Sequence, residues 1–192
     1  MTRSDLIVAT IVIDMQVDFF SGHPRLTSNR STLAKNVNAL AAIARRHGSH
    51  VIWVKQVFAS DLHDAPLEVK RGGLRVVIDG TEGATILPEV EVEPSDSILI
   101  KKRYSAFYGT NLDVILDGLA SKRIIVAGVN THACVRATVI DAYQRDYDVL
   151  LAKECIDSHD EQHHSISMRY MDGKLGIAMT NDQLDVELRK GH

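Results

Sequence analysis

Short apolar runs alternate with helical patterns along most of the chain, and this alternation constrains the fold more than any other feature. The first run, Leu6–Asp14, is continuously apolar and rich in β-branched residues, which is typical of a strand buried on both faces. Later runs of the same kind predict further strands at 50–58, 96–102, 122–128, 147–154 and 176–180. Strands that alternate with helices predict an α/β fold with three αβα layers. We therefore expect a Rossmann-like parallel sheet of about six strands, with helices on both faces.

Helical spacing of apolar residues separates these strands and predicts helices at 31–48, 110–120, 131–146, 160–173 and after Thr180. Two of these helices begin with the spacing of a capping box, in which a side chain at the helix start and one three residues later bond to backbone N–H groups. The first candidate pair is Thr110 with Asp113, and the second is Ser158 with Glu161.

Size and composition indicate a single domain, 1–192, and exclude several functional classes. Hydrophobic residues make up 45% of the 192 residues, charged residues 24%, and the net charge is −3, so we expect neither nucleic-acid nor membrane binding. The first apolar run is too short to span a bilayer and lacks a signal-peptide cleavage site. The two cysteines fall in different predicted elements, which favours a reducing, cytoplasmic setting.

Three chemically active residue types follow predicted strands. Asp14 ends the first strand, Lys101 and Lys102 end the third, and Cys134 follows the fourth at the start of a helix. Because the carboxyl ends of parallel strands share one edge of a sheet, we expect them to meet in one cleft. There Cys134 could act as a nucleophile with Asp14 as its base, and a lysine would lower the pKa of both groups. Each residue also has an ordinary alternative role: Cys134 as a small core residue, Asp14 as a turn cap and the lysine as a solvated cation.

Four segments together resemble the isochorismatase-like cysteine hydrolase superfamily: VIDMQVDFF, GTEGATILPEV, KKRYSAFYGTNLD and GVNTHACVRATVIDA. The resemblance implies an Asp–Lys–Cys triad at Asp14, Lys101 and Cys134. It selects Lys101 over its neighbour because the family pattern leaves three residues between the lysine and SAF. It also implies a cis peptide bond from Val129 to Asn130, and an oxyanion hole formed by the N–H groups of Asn130 and Cys134.

The retained Cys134 indicates which chemistry the resemblance implies. True isochorismatases hydrolyse a vinyl ether and typically lack this cysteine. The segments CVRAT and KECIDSHDEQHH look most like amidases related to N-carbamoylsarcosine amidase. We therefore expect hydrolysis of a C–N bond in a small amide or carbamoyl compound through a thioester. The alternatives are a metal-assisted nicotinamidase, a vinyl-ether hydrolase and a non-catalytic small-molecule binder.

The substrate contacts are expected at Phe19, Tyr104, Phe107 and Thr131. Some related amidases carry an arginine near His159 that could hold a substrate carboxylate. This chain has histidine there, which argues against a carboxylate-bearing substrate.

No metal or other cofactor is expected. Asp61 and His63 resemble part of the nicotinamidase metal set, but their offset from the second strand is too long. His159, His163 and His164 are interpreted as a polar helix face, since no thiolate or carboxylate ligand is clearly paired with them.

A homodimer or homotetramer is expected, because relatives often complete their pockets with a neighbouring subunit. The glycine- and proline-rich segment 59–95 adds weaker support. An irregular segment has difficulty burying all of its own apolar residues, here Leu67, Leu74, Val76, Val77 and Ile78. The alternative is that these residues fold back over the sheet edge as a lid.

Overall fold

A six-stranded parallel sheet forms the central layer of the structure, a computed structural model that describes residues 7–190. The strands are β1 (Val8–Ile13), β2 (His50–Gln56), β3 (Ser97–Lys101), β4 (Arg123–Gly128), β5 (Asp148–Ile156) and β6 (Ile177–Met179). Their order is β3-β2-β1-β4-β5-β6, and all five neighbouring pairs are parallel. The direction of winding reverses between β1 and β4, where open α/β sheets form their ligand crevice.

Helices cover both faces of this sheet, which confirms the predicted three-layer fold. They are α1 (Val17–Ser21), α2 (Pro24–Arg46), α3 (Leu67–Gly72), α4 (Leu112–Gly118), α5 (Arg136–Tyr143), α6 (Glu161–Met171) and α7 (Asn181–Arg189). In β1, Ile11 packs in a cluster with residues of α4 and α5, whereas Val12 packs in another with residues of α2 and α7. Since successive side chains of a strand point to opposite faces, one apolar run supplies two cores.

Helix starts are where the sequence-based predictions fail. Helix α2 begins at Pro24 rather than Ser31, because its first turns carry few apolar residues to reveal the periodicity. Neither predicted capping box forms. Thr110 donates its hydroxyl to the Ala106 carbonyl, and α6 is capped by Asp160, whose side chain accepts from the His163 N–H.

The segment between β2 and β3 packs against the loop that follows β1. The Gln16 side chain donates to the carbonyls of Gln56 and Ala84, and the Asp18 carboxylate accepts from the Val77 N–H. Asp18 also lies against Gly83, where a Cβ atom would come 2.1 Å from a carboxylate oxygen. The segment is therefore fixed beside the end of β1, where Asp14 lies.

Across residues 7–190, none of the helices combines the length and the apolar character that crossing a bilayer requires.

Candidate active site

Asp14, Lys101 and Cys134 meet at the carboxyl edge of the sheet. Lys101 Nζ lies 2.8 Å from Asp14 Oδ2 and donates a 3.3 Å hydrogen bond to Cys134 Sγ. Strand β2 separates β3 from β1, so the long lysine side chain spans the end of one strand to reach the other two residues. The predicted proximity of the three strand ends is confirmed.

The two adjacent lysines point to different places. Lys101 is fully buried and also donates to the Arg103 carbonyl at 3.1 Å. Lys102 instead pairs with Asp64 at 2.7 Å and donates to the Val57 carbonyl. The structure thus places Lys101, rather than its neighbour, in the site.

Burial sets the protonation of the ion pair. Asp14 is 1% exposed and its backbone is in the left-handed region, with φ of 54°. Within residues 7–190, neither of its carboxylate oxygens has a well-oriented hydrogen bond, so Lys101 is its main partner through the ion pair. Burial raises the pKa of Asp14, although the Lys101 charge opposes the shift. Burial disfavours the charged form of Lys101, but the attraction of Asp14 and Cys134 outweighs it, so the pKa of Lys101 is raised and the ammonium persists.

Cys134 lies in a π-helical turn, Thr131–Val135, that leads into α5. Its side chain is buried, and its carbonyl accepts a hydrogen bond from the Thr138 hydroxyl. Burial, followed by the negative charge of Asp14, raises the pKa of the Cys134 thiol to about 12. The expected lowering of this pKa by Lys101 is present, but burial and the Asp14 charge outweigh it, so the predicted net direction is wrong. The resting thiol is protonated and lies beside a carboxylate whose pKa is also raised.

The segment before Cys134 has the expected cis peptide bond between Val129 and Asn130. The Val129 N–H donates to the Ile13 carbonyl at 2.9 Å, and the Thr131 N–H donates to the Asp157 carbonyl at 3.0 Å. Asn130, one of the two predicted oxyanion residues, is thus flanked by residues bonded to the end of β1 and to the residue after β5.

The predicted substrate residues occupy different environments. Tyr104 is half exposed and lines a cavity of about 410 Å³ whose wall also includes Pro66, Glu68, Arg103, Ser105, Tyr108 and Asp141. One residue of this wall, Arg103, accepts a hydrogen bond from Lys101 through its backbone carbonyl. Phe19 is half-buried between two apolar clusters, and the Thr131 hydroxyl lies 2.7 Å from His164 Nδ1. Phe107 is buried in the core under the Arg145 guanidinium, which favours a packing role there.

A cluster of histidines lies beside Asn130, and sequence reasoning did not find it as a unit. The His159 ring lies 4.4 Å from the His23 ring and 4.9 Å from the His132 ring, and the His163 ring lies 5.1 Å from that of His132. His159 also donates its backbone N–H to Asn130 Oδ1. Burial, and then the neighbouring imidazoles, lower the pKa of His132 and His159. The interpretation of 159–164 as a plain polar helix face is therefore incomplete, since these residues contact the segment before Cys134.

The residues considered as metal ligands do not converge. Asp61 and His63 are about 70% exposed and contact each other at 2.7 Å. Within residues 7–190, no group of three or more histidine, cysteine or acidic side chains has a geometry that could hold a metal ion.

Comparison with known proteins identifies the family. The family described as Isochorismatase domain matches residues 8–183. A protein of Arabidopsis thaliana named a probable inactive nicotinamidase is 34% identical over 145 residues, which are 72% of this chain and 74% of that protein. Among solved structures, an isochorismatase family protein from Desulfovibrio vulgaris superposes with a TM-score of 0.87 at 28% identity, covering 96% of this chain and 100% of that one. N-carbamoylsarcosine amidase from Thermoplasma acidophilum superposes with a TM-score of 0.76 at 25% identity, covering 92% and 98%. With this match over nearly its whole described length, the chain belongs to the isochorismatase-like cysteine hydrolase superfamily.

Proposed function

We propose that this hydrolase cleaves the C–N bond of a small amide or carbamoyl compound through a thioester on Cys134. The observation that carries the proposal is the contact of one buried ammonium, Lys101 Nζ, with both Asp14 and Cys134, at 2.8 and 3.3 Å. A buried, charged constellation is costly, and a protein that only binds its ligand has no need of one. The similarity to N-carbamoylsarcosine amidase supports the same class of bond.

The first step follows from the protonation states. Because burial raises the pKa of the Cys134 thiol to about 12, the thiol stays protonated at neutral pH unless a base takes its proton. Asp14 therefore takes the proton as Cys134 Sγ attacks the carbonyl carbon, so that no free thiolate accumulates. The N–H groups of Asn130 and Cys134 hold the oxygen that becomes negative, and Lys101 keeps Asp14 ionised before the transfer.

The remaining steps return the enzyme to its starting form. The C–N bond breaks, and the departing nitrogen takes the proton from Asp14, which leaves a thioester on Cys134. Water then attacks this thioester and gives one proton to Asp14. The C–S bond breaks, the acid leaves, and the proton passes from Asp14 to the Cys134 sulfur.

Three features of the sequence and structure narrow the alternatives. The mutual pairing and exposure of Asp61 and His63 give no support to a metal-assisted nicotinamidase, so no step is assigned to a metal. Cys134 supplies the nucleophile that a vinyl-ether hydrolase does not use. His159 takes the place where some related amidases carry an arginine, so uncharged amides are expected to be better substrates than carboxylate-bearing ones.

We also propose a reducing, cytoplasmic setting. Cys134 and Cys155 are both free thiols in the structure. Cys155 is buried and donates to Asn181 Oδ1, so only Cys134 has partners for catalysis, and an oxidising compartment would endanger that thiol.

The test is release of ammonia or amine from a panel of small amides, ureas and carbamoyl compounds. We expect turnover of at least one class, and an acyl adduct on Cys134 in quenched samples analysed by mass spectrometry. Cys134→Ala should lower turnover by about a thousandfold or more, whereas the matched control Cys155→Ala should retain most of it. Substantial turnover by Cys134→Ala would refute the mechanism. Saturable binding of an amide without any turnover would instead indicate a binding protein.

A further inference from the structure

We propose that Arg25 and Asn29, in the first turns of α2, are positioning residues that hold the oxyanion segment 128–132 in place through Asp157. This inference rests on the proposed function, because it assigns these residues a part in the acyl-transfer step. Neither residue belongs to a motif of the predicted site, and Asp157 is separated from Arg25 by more than half of the chain.

The turn between β5 and α6 holds segment 128–132 at several points. Asp157 donates its N–H to the Gly128 carbonyl at 3.3 Å, and its backbone carbonyl accepts from the Thr131 N–H at 3.0 Å. The His159 N–H donates to Asn130 Oδ1 at 3.0 Å. Because the β4–β5 register shifts between Val126 and Gly128, the regular ladder is broken where these contacts begin. The position of the segment therefore depends on the turn 157–159.

Two residues of α2 hold the turn 157–159. Arg25 donates from Nη2 to Asp157 Oδ1 at 2.9 Å and from Nε to the Ser158 carbonyl at 3.0 Å. Asn29 donates to the other carboxylate oxygen of Asp157 at 2.8 Å. The Asp157 side chain is only 9% exposed, so its charge needs these partners to remain buried. Removing Arg25 leaves that carboxylate underpaired and frees the Ser158 carbonyl at the same time.

The contacts of Arg25 are separate from those that control the thiol. Its side chain reaches Asp157, Ser158 and Glu161, whereas the thiol is held by Lys101 and lies beside Asp14. Loss of Arg25 should therefore impair stabilisation of the oxyanion while leaving the reactivity of the thiol unchanged. A general loosening of the fold would impair both.

The experiment compares Arg25→Leu with Arg30→Leu. Arg30 lies on the same helix with a similar side-chain exposure, 27% against 29%, but pairs with Glu89 on a different surface. Hydrogen–deuterium exchange of a peptide covering 128–135 should be faster in Arg25→Leu and unchanged in Arg30→Leu, while exchange in β1 stays constant in both. The kcat for acyl transfer should fall by about tenfold to a hundredfold in Arg25→Leu with little change in KM. Alkylation of Cys134 by iodoacetamide, which develops no oxyanion, should proceed at the wild-type rate.

Further variants keep the test decisive. Arg25→Lys retains the positive charge but cannot donate hydrogen bonds to Asp157 and to the Ser158 carbonyl at the same time. Its kcat should therefore lie between those of wild type and Arg25→Leu. If Arg25→Leu does not fold, the isosteric Asp157→Asn is measured in the same way.

Unchanged exchange of 128–135 overturns the inference whatever the activity, because exchange needs no substrate. Alkylation that slows in parallel with acyl transfer also overturns it. Failure of the proposed function would show separately, because the wild-type protein would then turn over no amide. In that case, the rate of acylation of Cys134 by p-nitrophenyl acetate replaces kcat in the comparison. Equal acylation rates of wild type and Arg25→Leu would count against the inference.

Discussion

At the scale of single residues, the site depends on where one proton lies. The negative charge of Asp14 raises the pKa of the Cys134 thiol, and burial raises the pKa of both groups. In the proposed mechanism, the carboxylate suppresses the resting thiolate and accepts the proton only when the sulfur attacks. These two effects can be separated by removing the charge of Asp14 while keeping its shape.

Asp14→Asn should therefore change alkylation and turnover in opposite directions. Without the base, amide turnover should fall by about a hundredfold to ten-thousandfold. Without the neighbouring negative charge, the pKa of Cys134 should drop, so iodoacetamide should alkylate it faster than in wild type at the same pH. Asp18→Asn, in α1 just after this loop, is the control and should change neither rate much. Slower alkylation in Asp14→Asn would show that Asp14 promotes the resting thiolate, contrary to this account.

Replacing each of the adjacent lysines by methionine should give different outcomes. Lys101→Met leaves Asp14 buried without its counter-ion, so it should abolish turnover and cost about 3 kcal/mol or more of unfolding free energy. Lys102 is 40% exposed in its pair with Asp64, so Lys102→Met should cost under about 1 kcal/mol and keep activity. Urea unfolding and turnover measure both effects. An inactive Lys102→Met beside an active Lys101→Met would show that the assignment of the lysine is wrong.

The stability deficit of Lys101→Met should also depend on pH. Burial raises the pKa of Asp14, and the loss of Lys101 removes the charge that opposes this shift. A carboxyl group whose pKa is raised on folding favours the folded state at low pH, and that contribution is lost as the pH rises through the raised pKa. The deficit should therefore be smaller at about pH 4 than at about pH 8.

The clustering of Asp14, Lys101 and Cys134 could be predicted from sequence, but its electrostatics could not. Strand ends and motif resemblance located Asp14, Lys101 and Cys134 without a structure. The predicted net direction of the pKa shift of the Cys134 thiol is wrong, because the shift depends on how completely the fold excludes water from the thiol. Arg25 and Asp157 were missed because polar residues so distant in sequence carry no periodic signal that links them.

At the scale of elements, the contact between β1 and β4 sets the spacing of the site. Gly128 ends β4 with φ of 109°, and a Cβ atom there would lie 2.0 Å from the Ile13 carbonyl oxygen of β1. Because the backbone fixes the position of a Cβ atom and the Ile13 atoms that it meets are backbone, no side-chain rotation can relieve the contact. The two strand ends carry Asp14 and the segment leading to Cys134, so any separation of them also separates the proposed base from the proposed nucleophile.

Gly128→Ala should therefore lower both stability and activity. We expect a loss of about 3 kcal/mol or more in unfolding free energy, from the strained φ and the backbone clash together. Gly118→Ala is the control, because its Cβ would meet nothing within 4 Å and alanine favours the helix. Urea unfolding of the two variants compares them directly. Equal stability of both would show that the strand contact tolerates a side chain.

Strands were easier to predict than helix starts for a physical reason. A strand buried on both faces, such as β1 or β4, is apolar at nearly every position, so its sequence alone predicts it. A helix start depends on which residue first leaves the helical backbone, and several nearby polar side chains can cap it. Asp160 rather than Ser158 caps α6, and the hydroxyl of Ser158 instead lies 2.7 Å from His132 Nδ1.

At the scale of the whole molecule, the segment between β2 and β3 is better packed than its sequence suggests. Val77 and Ile78, which were expected to need a partner subunit, are buried in a small cluster with Phe58. Leu67 and Leu74 remain 65% and 49% exposed. The segment therefore supplies much of its own core, and Val77 and Ile78 need no partner subunit to bury them.

The edge strand β3 is the stronger reason to expect an assembly. In the part of the chain that the structure describes, it has a strand neighbour on one side only, and its Ile98 and Ile100 are 55% and 43% exposed. An unpaired edge with exposed apolar side chains favours association with another chain, and closed symmetric dimers or tetramers are the usual result. We therefore propose that the protein is a homodimer or homotetramer that uses this edge.

Light scattering at micromolar concentration should give a mass that is two or four times the 21.2 kDa of one chain. Replacing Ile98 and Ile100 together by lysine should shift the protein toward monomer, because charged residues on an edge strand oppose pairing. Val186→Lys, at a position on α7 that is 52% exposed, removes a similar apolar side chain and should leave the mass unchanged. A wild-type monomer that keeps full activity on dilution would exclude an obligate assembly. An oligomer that persists in the double lysine variant would move the interface to another surface, and Leu67 and Leu74 would be the next positions to test.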